Sequence, residues 1–220
     1  MLPHFIRHYR KAFPDCNIVV YDNESTDRTA EIARENNCTV ITYKTGGKLD
    51  DATYLEIKNN CWKQAPTDWV MVVDCDELCD ITEKELRAEE RRGTTMIRFN
   101  GYNMVNLVND MNFTAITHGV RSTSYDKPAL FNKRQIAGIN YCPGAHNAAP
   151  NGYVQENIKA YNLYHYKYIN PDYMVKRHAV FCSRLSDNNK AKGYGGHYQY
   201  SEEQIRAEFE QARKQAKRIL

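Results

Sequence analysis

Strand and helix signals alternate through the first third of this 220-residue chain, and that alternation limits its fold more than any other feature. Residues 3–13 predict a short helix, with Pro3 suited to its first turn and Pro14 past its end. Residues 17–21 (NIVVY) are short and β-branched, the signature of a buried strand. Ser25 or Thr26 can cap a helix over residues 27–36, and residues 39–43 form a second strand. A helix over residues 49–64 follows, with Tyr54, Ile57 and Cys61 on one face. Residues 69–73 (WVMVV) are the most apolar strand and are expected at the centre of the sheet. Strand–helix–strand order implies right-handed crossovers and a mostly parallel, Rossmann-like sheet, so the expected class is α/β. Ligands of such sheets sit at the carboxyl ends of the strands.

The second half reads differently. Thr82 and Glu85 form a capping box opening a charged helix that stops near Gly93. Short strand-like pieces at 96–99, 129–131 and 163–169 lie between loops rich in Asn, Gly and Pro, and residues 174–183 predict a helix. Residues 190–200 read as a Gly/Tyr/His loop, and Ser201 with Gln204 caps a last helix. The expectation is a single domain with an irregular C-terminal half: residues 1–93 for a nucleotide, residues 94–220 for acceptor and metal.

Composition narrows the partners. Thirty Lys and Arg against 27 Asp and Glu give a net charge of +3, too balanced to point to nucleic acid. No apolar run approaches the roughly 18 residues of a membrane span, and the N-terminus lacks the apolar core of a signal peptide. Seven scattered cysteines without a CxxC pair argue against zinc and a disulfide framework, and fit a cytoplasmic protein.

The chemistry gathers at two acidic strand ends, Asp22-Asn23 and Asp74-Cys75-Asp76-Glu77. Side chains alternate along an extended backbone, so Asp74 and Asp76 share one side. Facing solvent there, they suit a hard divalent cation such as Mn²⁺ or Mg²⁺, which in turn accepts diphosphate oxygens. Arg184, and the basic Gly-rich loop that carries His197, suit a diphosphate leaving group, and Lys48 after Gly46-Gly47 can also reach phosphate. The Gly-Gly-Lys spacing is not that of a P-loop, and no serine-hydrolase elbow occurs.

VVYDNESTDRTAEIA at 19–33 and DWVMVVDCDE at 68–77, about 50 residues apart, resemble the glycosyltransferase family 2-like enzymes of GT-A fold. The resemblance continues through LDDATYLEIKNNCWKQAPTDW, and more loosely through KPALF, PGAHN, LYHYKYI and RLS. It implies an inverting, metal-dependent transfer of a hexose from a nucleoside diphosphate sugar, UDP above all, to a saccharide or glycan. By the same resemblance Asp22 meets the nucleobase or ribose, with Asn23 and Ser25 shaping its turn. Asp74 is the ribose-side member of D-x-D, Asp76 the metal ligand, and His165 a further metal contact. The chain departs from the pattern twice. It starts at the first helix, without the strand that usually precedes it, and it lacks the Glu-Asp pair near the catalytic base. His146, after a Pro-Gly turn, and Asp126, before Lys127-Pro128, are the competing bases. Two other readings stay open: a nucleotidyltransferase, and an inactive sugar-nucleotide-binding module of a larger enzyme.

Overall fold

A computed structural model describes residues 1–108 and 110–220. They gather into two compact units that interleave in sequence. The first holds Met1–Asp50, Met104–Val120 and Tyr166–Leu220; the second holds Asp51–Asn103 and Arg121–His165. Neither coincides with residues 1–93 or 94–220.

In the first unit, helix Leu2–Ala12 begins with proline in its first turn. Strands Val19–Asp22 and Thr39–Thr42 pair in parallel, Val19 opposite Thr39 and Asp22 opposite Thr42. Helix Thr29–Glu35 connects them. Arg28 stands at its cap position, correcting the expected cap at Ser25 or Thr26. The Asp27 side chain accepts the Thr29 amide at 2.9 Å, and this local turn delays the helix start. Val19 stays exposed, so the first strand is not the buried one its sequence suggests, and Ile41 on its partner is exposed as well.

The C-terminal part of this unit is helical. Asn170 caps helix Pro171–Arg184 by accepting the Tyr173 amide, and helix Asp187–Ala191 follows. A 3₁₀ turn at Gly196–Gln199 breaks up the expected 190–200 loop. Helix Glu202–Gln215 opens with the Ser201/Gln204 capping box as expected. Tyr168, Met174, Ile205, Phe209 and Ala212 form the core here.

In the second unit, strand Trp69–Met71 pairs antiparallel with Lys127–Asn132, Val70 opposite Phe131. Strand Met96–Val105 pairs antiparallel with Lys127–Asn132 as well, with a register shift between Ile97 and Arg98. Strand Glu77–Asp80 pairs antiparallel with Tyr161–Tyr168, His165 opposite Glu77. These pairings correct the mostly parallel sheet: α/β it is, but the parallel ladder described is Val19–Asp22 with Thr39–Thr42. They also correct the central placing of residues 69–73, whose one described partner is Lys127–Asn132.

Trp62, Val70, Val72, Met96, Phe131, Ile136 and Ile139 form the core of this unit, with the Trp62 ring edge-on to Phe131 at 5.1 Å. Helix Asp51–Asn60 is shorter than its 49–64 pattern and has no buried residue; Trp62, beyond its end, anchors it instead. The Thr82/Glu85 box caps helix Glu83–Arg91 as expected. Among the described residues no helix is long and apolar enough to cross a membrane. No disulfide joins any of the seven cysteines.

Candidate functional site

In the second unit the apolar strand Trp69–Met71 drives the chain into the core, and the chain then turns sharply at the acidic cluster. The Asp74 amide donates to Glu77 Oε2 at 2.9 Å, and the Glu77 amide donates back to the Asp74 carbonyl at 3.0 Å. This reciprocal turn starts strand Glu77–Asp80, which carries Glu77 into the interior, where it is 1% exposed. Lys127 is fully buried beside it, its Nζ 2.5 Å from Glu77 Oε2 and 3.6 Å from Asp74 Oδ2. Lys58 Nζ reaches Asp74 Oδ1 at 2.8 Å.

Two ammonium groups therefore face one carboxylate. Burial works against ionising Asp74, but Lys127 and Lys58 outweigh it and hold its carboxyl well below the usual range. Burial also opposes charge on Lys127, yet Glu77 and Asp74 raise its affinity for the proton. Removing one member of the buried Lys127–Glu77 pair leaves an uncompensated charge, at a cost of about 3–5 kcal/mol. Lys127→Met is accordingly expected to lower unfolding stability by about that amount, read as a lower urea midpoint at unchanged slope. An unchanged midpoint would show that Glu77 does not need its partner.

Asp76 is 6% exposed, which corrects the expectation of a carboxylate facing open solvent. The ladder with strand Tyr161–Tyr168 begins at the next residue, Glu77, opposite His165. That pairing brings His165 Nε2 to 3.8 Å from Asp76 Oδ2. His165 Nδ1 lies 2.8 Å from Asn103 Oδ1, a contact that suits a proton on Nδ1, and Nε2 is on the Asp76 side. Asp76 Oδ2 and His165 Nε2 are two side-chain atoms of types that can ligate a divalent cation. Among the described residues no group of three His, Cys, Asp or Glu side chains that could hold a metal ion occurs.

His146 follows the Pro143-Gly144 turn and stands close enough to this cluster to sense Lys127, Asp74 and His165. Burial, helped by the Lys127 charge, pushes its pKa down to about 4, so the ring is neutral at pH 7. Its buried Nδ1 has no hydrogen-bond partner. Asp126 does not compete on equal terms. It pairs with Arg121 at 2.6 Å and accepts the Gly101 amide at 2.8 Å. Burial opposes its ionisation, but these bonds keep its pKa below normal.

The first unit gathers five of the remaining expected residues. Asp22, at the carboxyl end of its strand, is 6% exposed. The Ser25 amide donates to its Oδ2 at 3.3 Å, while Oδ1 is buried without a partner. Asn23 Nδ2 donates to Thr45 Oγ1 at 2.9 Å. Arg184 Nε donates to the Gly47 carbonyl at 2.8 Å, and its Nη2 lies 3.4 Å from Asn23 Oδ1. The Leu49 amide bonds the Arg184 carbonyl at 2.7 Å, clamping the Gly46-Gly47-Lys48 turn to the end of helix Pro171–Arg184. Lys48 is exposed on that turn. His197 belongs to the same unit, but its described ring contacts are with His178 and Tyr198 and with none of these five.

Over residues 1–90 the sequence matches the family model described as Glycosyl transferase family 2. That stretch contains both acidic strand ends. No curated protein sequence matches the chain. Among solved structures, S. aureus TarS is similar at 15% identity and a TM-score of 0.47, over 94% of this chain and 40% of that one. The structure of S. aureus TarS 1-349 in complex with UDP-GlcNAc is similar at 15% identity and a TM-score of 0.44, over 94% of this chain and 67% of that one. The chain thus spans about two fifths of the longer TarS chain. Beyond the family 2 segment lie Lys127, His146 and His165; Lys58 lies inside it.

Sequence reasoning missed Lys58, Lys127, Glu77 and Asn103. Glu77 left the clearest signal, as the third acid of the DCDE run. A lysine opening the apolar stretch KPALF is a weaker hint that the cation is drawn inward.

Proposed function

We propose that the chain is an inverting hexosyltransferase. It would move a hexose from a nucleoside diphosphate sugar, with UDP as the nucleotide, to a hydroxyl of a saccharide or glycan, with Mn²⁺ or Mg²⁺ as cofactor. The observation that carries this reading is the family 2 match across both acidic strand ends, with Asp76 and His165 paired beside the second of them.

In this reading Asp76 and His165 hold the cation. When bound, it supplies Lewis-acid stabilisation to the departing diphosphate. Lys58 and Lys127 keep Asp74 ionised, so that it can accept a ribose hydroxyl. Asp22 accepts from the nucleobase or ribose through its unpartnered Oδ1, on a turn shaped by Asn23 and Ser25. Arg184, Lys48 and His197 add donors for phosphate or sugar oxygens. The neutral imidazole of His146 takes the proton of the acceptor hydroxyl as the new glycosidic bond forms. Seven cysteines with no disulfide suit a reducing, cytosolic compartment.

Calorimetric titration tests the donor half of the reading. UDP is expected to bind at micromolar to millimolar concentration, at least about tenfold more tightly with Mn²⁺ present, because two partners that share ligands stabilise each other. No heat at millimolar UDP with Mn²⁺ would contradict the reading.

A further inference from the structure

Three aromatic rings of the second unit, Tyr125, His146 and His165, form a cluster centred on Tyr125. Tyr125 lies face to face with His165, ring centroids 4.2 Å apart and planes 21° from parallel. It also meets His146 edge-on, at 4.7 Å and 70°. One phenol ring thus touches both the imidazole beside Asp76 and the imidazole beside Lys127.

The backbone goes to some length to hold that ring. Tyr125 ends a 3₁₀ turn, Thr123–Tyr125, whose two flanks are stitched to Gly101. The Ser122 amide donates to the Gly101 carbonyl at 2.9 Å, Arg121 Nη1 donates to the same carbonyl at 3.0 Å, and Asp126 accepts the Gly101 amide at 2.8 Å. Arg121 and Asp126 close the loop with their own ion pair. Gly101 has no room for a side chain: a Cβ there would lie 2.4 Å from the Tyr125 carbonyl carbon and oxygen and 2.6 Å from its Cβ. The close approach of Gly101 and the Arg121–Asp126 clamp have one product, a fixed Tyr125.

We propose that Tyr125 is a positioning residue for both imidazoles, locking the ring plane of His165 so that Nε2 stays on Asp76 and limiting the tilt of His146. Asp126 then serves the site through Tyr125, as a staple of its turn, and not as a base. The Nδ1 contact with Asn103 fixes one edge of the His165 ring, and the phenol face of Tyr125 adds a contact across its plane. Contacts of this outer kind hold a ligand ring in place and raise metal affinity. The hydroxyl is not required for the stack; the ring is.

The proposal rests on His165 as a metal ligand, and two readouts on the whole chain keep the two claims apart. Histidine-ring NMR reports the stack without metal. Tyr125→Ala is expected to move the ring signals of both His165 and His146, since each loses the ring current of the phenol, while Tyr125→Phe leaves them near their wild-type positions. Mn²⁺ titration reports the consequence: affinity is expected to fall about 10- to 100-fold in Tyr125→Ala and to stay within about threefold in Tyr125→Phe. Gly101→Ala is expected to follow Tyr125→Ala in both readouts. Ring signals unmoved in Tyr125→Ala, or Mn²⁺ bound as tightly by a folded Tyr125→Ala as by wild type, would overturn the positioning role. Wild-type protein that binds no Mn²⁺ would overturn the metal reading itself, and with it the purpose assigned to the stack.

Discussion

Replacing Asp76 with asparagine is expected to lower metal-dependent hexose transfer about a thousandfold. Asn keeps the shape and one oxygen but removes the charge, and charge is what a hard divalent cation seeks in an oxygen ligand. A divalent cation held there would contribute several kcal/mol to the departure of the diphosphate, and about 4 kcal/mol corresponds to a factor near a thousand. Because Asp76 is buried, the isosteric Asn is a better test than Ala, which would also open a cavity. Mn²⁺ affinity, measured in parallel, is expected to fall with activity. Wild-type transfer in Asp76→Asn would remove this carboxylate from the mechanism.

His146→Ala is expected to lower transfer roughly a hundredfold or more, the usual scale for losing a general base, with UDP affinity unchanged. The pH profile gives an independent check. A histidine whose pKa lies near 4 is already neutral and competent at pH 5, so the acid limb set by His146 should fall near pH 4 and not near 6.5. The same displacement predicts a stability effect with a definite sign. Between about 4 and 6.5 the unfolded chain binds a proton on this residue that the folded chain refuses, so stability rises with pH. The contribution is complete above the unfolded value and is lost as pH falls towards 4. In His146→Phe the Tm should depend less on pH across that window. A His146→Ala enzyme at wild-type rate would rule the residue out; Asp126, clamped by Arg121 and Gly101, would then have to be freed before it could act.

How much of this was legible in the sequence follows from how local each feature is. Capping boxes at Thr82/Glu85 and Ser201/Gln204 are decided within four residues, and both formed as read. Acidic strand ends are nearly as local, and Asp22 and the Asp74–Asp76 turn sit where the pattern put them. Strand direction is not local. Trp69–Met71 looks like the middle of a parallel sheet because it is apolar, but its described partner, Lys127–Asn132, lies some 60 residues on and runs antiparallel. Nor could residues 77–80 be recognised as a strand: ELCD begins and ends with acids, and its pairing with Tyr161–Tyr168 supplies the stability that its composition does not. The same non-locality hid the chemistry around Asp74. Lys58 and Lys127 flank it from 16 residues before and 53 after, and no spacing rule connects them. His165 was readable from the resemblance alone; its register opposite Glu77 now gives it a physical reason to stand near Asp76.

The central claim is donor turnover, and release of UDP from UDP-hexoses tests it most directly. With Mn²⁺ and a saccharide acceptor present, the chain is expected to release UDP from at least one UDP-hexose and to form a product of inverted anomeric configuration, with chelation of the metal stopping both. UDP binding without turnover for any UDP-hexose, with acceptor and Mn²⁺ present, would contradict the enzyme and favour a sugar-nucleotide-binding module; pyrophosphate release from UTP and a sugar phosphate would contradict it in favour of a nucleotidyltransferase.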